Sequence, residues 1–194
     1  MSYSVIQPPF TLNFREMSTS DLHAYREWFL EIMASRLSEL RKAINEDDTV
    51  PRWDPDYSEE SIERLGVWLA TEATVRPRTK NEIEGLVEQT PFKFPASENE
   101  LTNRTFSLAF DAGMYLGETF CHDFPHLQWE QPLRDKKFAD FGQMIISGFG
   151  RATLNPVRIV VTYFYGIVSG QQSPKRFTEV FDYWRKLAEK QQKG

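Results

Sequence analysis

Four ionisable residues recur at spacings of three and four within residues 105–122, TFSLAFDAGMYLGETFCH: Asp111, Tyr115, Glu118 and His122. On a helix turning about 100° per residue they share an arc of roughly 60°. Two carboxylates with a phenol between them and an imidazole beyond have the makings of acid–base chemistry. Tyr115 would pass a proton to either carboxylate, and His122 would complete the relay. Asp111 and Glu118 stand about 10 Å apart along the axis, wide for a retaining carboxylate pair unless the side chains bend together. The same line has an architectural reading. Phe106, Phe110, Met114, Leu116 and Phe120 fill most of the circumference, and Ala109, Gly113 and Gly117 gather on the far side, where another element can approach closely. A helix so apolar belongs inside the protein, and buried carboxylates need partners or a raised pKa. Arg134, Arg151 and Arg158 lie in segments that could pack against it and supply a partner. The architectural reading is preferred and assigns no catalytic residue. A small hydrolase or transferase using Glu118, Asp111, Tyr115 and His122 is the alternative.

Other chemistries find less support. Cys121, His122, Asp123 and His126 cluster within six residues, but Pro125 ends the helix that would have to align the two histidines, and no HExxH, paired CxxC or Glu-x-x-His pattern is present. Cys121 and His122 are sequence neighbours pointing about 100° apart, so they do not form a thiol–imidazole pair. GQMIISGFG, with Gly142, Gly148 and Gly150, lacks a Walker lysine and does not lead into a helix, so turns explain its glycines. His23 lies beside Asp21 and Arg26 and reads as solvated. No metal or cofactor is expected.

A second constellation suits recognition. Residues 46–60 carry Glu46, Asp47, Asp48, Asp54, Asp56, Glu59 and Glu60 against Arg52 alone, interleaved with Trp53 and Tyr57 and stiffened by Pro51 and Pro55. Such a run is ordinarily solvated surface or helix capping. It also has the parts of a protein contact: carboxylates steer a basic partner, and two aromatics supply anchor area. Asp47, Asp48, Trp53, Asp54, Asp56, Tyr57 and Glu59 are the candidate partner-binding residues. Asp54-x-Asp56 hints at calcium, but the EF-hand glycine and terminal glutamate are missing.

Helices must position both constellations. Ser18 or Ser20 caps a first helix in which Leu22, Tyr25, Phe29, Ile32 or Met33, Leu37, Leu40 and Ile44 recur up to Asn45. Before it, residues 1–16 suit a leading segment or an edge strand. Ser58, Glu59 and Glu60 open a second helix through about residue 74, with its acids at the favourable end of the dipole. Thr79 begins a short helix to about residue 88, and the prolines of 91–95 form a stiff bridge to the central helix at 101–121. Leu127, Trp129, Phe138, Phe141, Met144, Ile145 and Ile146 suggest two short strands around the QPLRDKK turn. Asn155-Pro156 favours a helix over 156–168, although its Val, Ile and Tyr content also permits a strand. Ser173-Pro174 starts a final helix. The expected fold is α+β, mainly helical, with five to six helices around a central buried helix (101–121) and a small antiparallel hairpin at about 126–149, in a single domain spanning 1–194.

The chain has 194 residues, 28 acidic and 23 basic, a formal net charge of −5 and one cysteine. That length can bury a core without staples, and a lone cysteine cannot form an internal bridge. No basic block offers a surface for phosphates, so nucleic acid is not an expected partner. No signal peptide or apolar span of membrane length is read, so a cytoplasmic location without membrane contact is expected.

The segments FDAGMYLGETF, HLQWE, FGQMIISGFG and LNPVRIV together resemble a pattern of soluble bacterial proteins of uncharacterised function, in which an Asp-x-x-x-Tyr-x-Gly-Glu helix leads into a strand with Trp. The resemblance covers 101–168, about a third of the chain, and implies no activity. In size and acidity the chain is also similar to immunity proteins encoded beside secreted toxins, a likeness of type that carries no site residues. The expected function is therefore a non-catalytic bacterial protein-binding protein, of the immunity type, that neutralises a cognate toxin with a basic surface by steric and electrostatic blockade.

Overall fold

The computed structural model describes residues 3–89 and 98–192. The proline bridge at 91–95 lies outside them. Six helices and five short strands follow in the order α1 (Thr19–Asn45), α2 (Glu59–Glu72), β1 (Val75–Pro77), α3 (Lys80–Gln89), β2 (Asn99–Leu101), α4 (Asn103–Asp123), β3 (Gln128–Glu130), β4 (Ile145–Phe149), β5 (Ala152–Leu154), α5 (Pro156–Val168) and α6 (Arg176–Gln192). This is an α+β fold, mainly helical, with antiparallel sheets of two and three strands. No helix among the described residues is long and apolar enough to cross a membrane.

Side-chain caps set the helix starts. Ser18 accepts from the Asp21 amide, Ser58 from Ser61, Thr102 from Thr105 and Asn155 from Arg158, each satisfying a donor with no intrahelical partner. At α5 this cap, with Pro156 in the first turn, wins over the strand propensity of PVRIVVTYFYGIV.

The helix α4 runs through the middle of the molecule, with Leu108, Ala109, Ala112, Met114 and Tyr115 fully buried. Its small residues face close neighbours: a Cβ at Gly113 would lie 2.7 Å from Val157 Cα of α5, and Gly117 is covered by the Trp129 ring. Behind α4, Gly66 of α2 lets Phe177 of α6 come equally near. A large core joins α2, α4, α5, α6 and the three-stranded sheet. A second cluster, Tyr25, Phe29, Met33, Met114 and Met144, lies beneath Phe10, Leu12 and Phe14 of the leading segment, which is a covering arm and not an edge strand.

Two sheet features differ from the sequence reading. The expected hairpin is a three-stranded sheet, β3-β4-β5, in which Trp129 pairs with Ile146, and Ile146 with Leu154. Phe138 and Phe141 belong to an irregular excursion between β3 and β4, because Gln131 Nε2 donates to the carbonyls of Leu22 and Gly142 and pins that loop to the start of α1. The β1–β2 ladder was not expected at all. It pairs Val75 with Leu101 and Pro77 with Asn99, and Arg76 ties it to Glu82 of α3 and to Glu100. Three residues per strand are too few for a period of two to show.

Gly113→Ala should destabilise by about 1–3 kcal/mol in urea unfolding, because the added methyl meets α5 backbone and overpacking outweighs the gain in helix propensity. Gly85→Ala in α3, where a Cβ meets nothing within 4 Å, should show no loss.

Candidate functional site

The arc of α4 faces four different partners. Asp111 has no exposed surface and meets Arg36 of α1 in a two-pronged ion pair: Nε donates to Oδ1 and Nη2 to Oδ2, each at 2.8 Å. The Tyr3 hydroxyl donates to Oδ2 at 2.5 Å and lies 3.0 Å from Ser107 Oγ. Burial pushes the Asp111 carboxyl up to about 6 against the opposing pull of Arg36 and Tyr3. It leaves the Tyr3 phenol far above its usual range, with the Asp111 charge adding to the effect.

Tyr115 is also sealed. Ser61 donates its hydroxyl proton to the Ser58 carbonyl, so Tyr115 is the donor in its 2.5 Å contact with Ser61 Oγ, and it accepts from the Tyr57 amide at 2.9 Å. Burial raises its phenol as well. Glu118 is half-buried and accepts from the Trp129 indole at 2.7 Å. His122 is exposed, 3.0 Å from Asp123 and stacked on Tyr57 at 4.5 Å. An acid–base relay needs its groups in one space, and these four line none of five well-formed clefts among the described residues.

The arginine partner differs from those expected. Arg158 pairs with Asp140 at 2.8 Å, while Arg134 and Arg151 are exposed. Arg36 takes the role because it sits in the buried face of α1, the run Leu22, Tyr25, Phe29, Met33, Arg36, Leu40, Ile44. That interruption of an apolar period is the signal the sequence carries, and Arg36, not Leu37, occupies the buried stripe. Tyr3, Ser107 and Ser61 were missed because the polar partner of a buried group carries no periodicity of its own.

The acidic segment between α1 and α2 is pinned from inside. Trp53 is 1% exposed, so it is not a partner anchor. The Asn45 side chain brackets it, accepting from its amide at 2.7 Å and donating to its carbonyl at 3.0 Å. Its indole donates to the Ser61 carbonyl at 2.9 Å, and its ring meets Tyr115 edge-on. Tyr57, at φ 64, stacks between Tyr115 and His122, a left-handed conformation rare outside glycine and asparagine. The acidic loop and the α4 arc therefore touch through this residue.

The carboxylates divide into two sets. Asp54 pairs with Arg41, and Glu59 with Arg185 at 2.9 Å. Asp47 accepts from the amide and hydroxyl of Thr49 and from the Trp68 indole, Asp56 accepts from the amide and hydroxyl of Ser58, and Asp48 is exposed. Hydrogen bonds from Thr49 and Ser58 hold the Asp47 and Asp56 carboxyls below the usual range. Among the described residues no group of three or more His, Cys, Asp and Glu is placed to hold a metal ion. Burial and then the Glu118 charge push the Cys121 thiol up to about 11, far from a thiolate at neutral pH.

Two stability measurements probe this arrangement. Asp111→Asn should cost about 1–3 kcal/mol at pH 7, since Arg36 keeps its charge and loses its partner. The folded carboxyl titrates near 6 and the unfolded one near 3.8, so the folded state binds this proton first and the contribution of Asp111 grows as pH falls through that window. The deficit of Asp111→Asn in urea should therefore be larger at pH 4.5 than at pH 7. Trp53→Ala should cost about 3–5 kcal/mol, the loss for a buried aromatic, whereas an exposed anchor would leave the urea midpoint unchanged.

No family model matches this chain, and no curated protein or solved structure matches it significantly.

Proposed function

We propose that this chain is a non-catalytic, cytoplasmic, bacterial protein-binding protein of the immunity type, which neutralises a toxin by covering a basic surface with its 46–60 segment. One observation supports this above others: the segment is fixed from within while its charge points outward. Trp53, Asn45 and Tyr57 hold its backbone by buried contacts, and Asp47, Asp48 and Asp56 stand in no ion pair among the described residues. Ordered loops of this length without secondary structure commonly serve recognition. A loop already held in place loses little freedom on binding, which favours affinity. Asp54 and Glu59, each shared with an arginine, form the rim of the surface. The anchor area first assigned to Trp53 falls to Tyr57, the half-buried aromatic of the segment.

The hydrolase or transferase reading draws no comparable support. Asp111 and Tyr115 are sealed and hydrogen-bonded, and Glu118 already engages Trp129.

The test is recovery of the tagged protein from its host at low salt, identification of the co-purifying chain, and kinetics with purified components. A basic partner should bind with an association rate that falls as salt rises, and Asp48→Lys, at an exposed acid outside the ion pairs, should lower that rate by roughly threefold or more at low salt without moving the urea midpoint. A partner indifferent to both charge reversal and salt, or repeated recovery of no partner, would overturn the proposal.

A further inference from the structure

The arm at residues 3–17 contains no helix or strand, and among the described residues no backbone–backbone hydrogen bond joins it to another element. Side chains hold it at two places. At its outer end Tyr3 enters the buried ion pair: its hydroxyl donates to Asp111, Arg36 Nη2 donates to it at 2.9 Å, and the guanidinium carbons of Arg36 and Arg104 lie 5.4 and 5.6 Å from its ring centroid. Beside it the Ile6 amide donates to Ser107 Oγ at 2.7 Å and the Ser4 amide to Glu39 at 2.7 Å. Near α1, Arg15 and Lys136 exchange exposed bonds to each other's carbonyls. Between these clasps Phe10 and Phe14 rest edge-on against Tyr25.

A mostly apolar cleft of about 310 Å³ lies under the arm, with Leu12 and Phe14 on one side and Phe106, Phe110, Met144 and Val157 on the other. Met144 is 2% exposed, in the same cluster that Phe10, Leu12 and Phe14 cover. Segments with few backbone bonds to the rest of a structure open at lower cost than its helices do. Its polar fastenings to the buried α4 residues gather at one end, the Tyr3 hydroxyl on the Asp111–Arg36 pair and the Ile6 amide on Ser107, and it turns into α1 at Ser18.

We propose that residues 3–17 are a strap, latched by the Tyr3 hydroxyl on the Asp111–Arg36 pair, that opens as a unit while the helices stay folded and so controls access to the apolar cleft beneath it. The latch is selective in its chemistry. Removing the hydroxyl leaves Asp111 and Arg36 joined through both prongs, so the core keeps its ion pair while the strap keeps only the Ser4 and Ile6 amide contacts at that end.

Thiol labelling tests this. In a Cys121→Ser background, Met144→Cys places a reporter under the strap, and Leu108→Cys places one at a fully buried position of α4. The thiol of Met144→Cys should react with an aromatic disulfide reagent much faster than that of Leu108→Cys, with little dependence on urea, and Tyr3→Phe should speed the former by about tenfold or more while leaving the latter tied to global unfolding. Equal rates and equal urea dependence at both positions, or a rate at Met144→Cys unmoved by Tyr3→Phe, would overturn the proposal. Without any introduced thiol, Tyr3→Phe should raise the fluorescence of an anilinonaphthalene sulfonate dye under conditions where the far-ultraviolet circular dichroism is unchanged. An unchanged dye signal would count equally against it.

Discussion

The placement of one carboxylate organises this molecule. Asp111 lies on a helix otherwise so apolar that its charge could not survive burial alone, and the partner it needs comes from α1, seventy-five positions earlier. A buried pair of this kind adds little net stability, because both ions have left water. Its effect is to discriminate. Any packing of α1 on α4 that rotates either helix leaves two charges unmatched, at a cost of several kcal/mol, so the pair selects one register among apolar arrangements that would otherwise be close in energy. The leading segment adds its phenol and an amide to the same few atoms, bringing three parts of the chain to one point.

The opposite side of α4 works by subtraction. Where Asp111 draws α1 in through charge, Gly113 admits α5 at backbone contact and Gly117 admits the Trp129 ring. Trp129 then spends its indole proton on Glu118 of the same helix, so one side chain both fills the gap left by a glycine and satisfies a half-buried acid one residue along. Asp111, Tyr115 and Glu118 each hold a different neighbour, Arg36, Ser61 and Trp129, so the line of titratable residues read along the helix is dispersed among separate contacts.

Much of the architecture was legible in the residues, and the gaps have physical reasons. Caps at Ser18, Ser58 and Asn155, and apolar repeats at three and four, located the long helices closely, because both signals are local. The ladder at 75–77 and 99–101 was invisible: its pairing bridges more than twenty residues and its strands are three residues long. The third strand, 152–154, pairs locally with β4 but is itself only three residues long, too short for its period to show. For the site, the arc of α4 could be read from spacing alone, but the identity of its partners could not. Arg36 lies within an apolar run, but leucine at 37 fits the period nearly as well and masks it. Trp53 was misjudged because an aromatic among acids and prolines looks like surface, and only its bracket by Asn45 and its contact with Tyr115 turn it inward.

The inward turn of Trp53 divides the labour within the segment that carries it. Its positions answer to different demands: Trp53 to the packed interior, Asp48, Arg52 and Asp54 to water, with Tyr57 half-buried between them. Mutation can rewrite the outer set, charge sign included, without asking the interior to repack. A scaffold divided in this way can keep its shape while the charge and chemistry of its exterior drift.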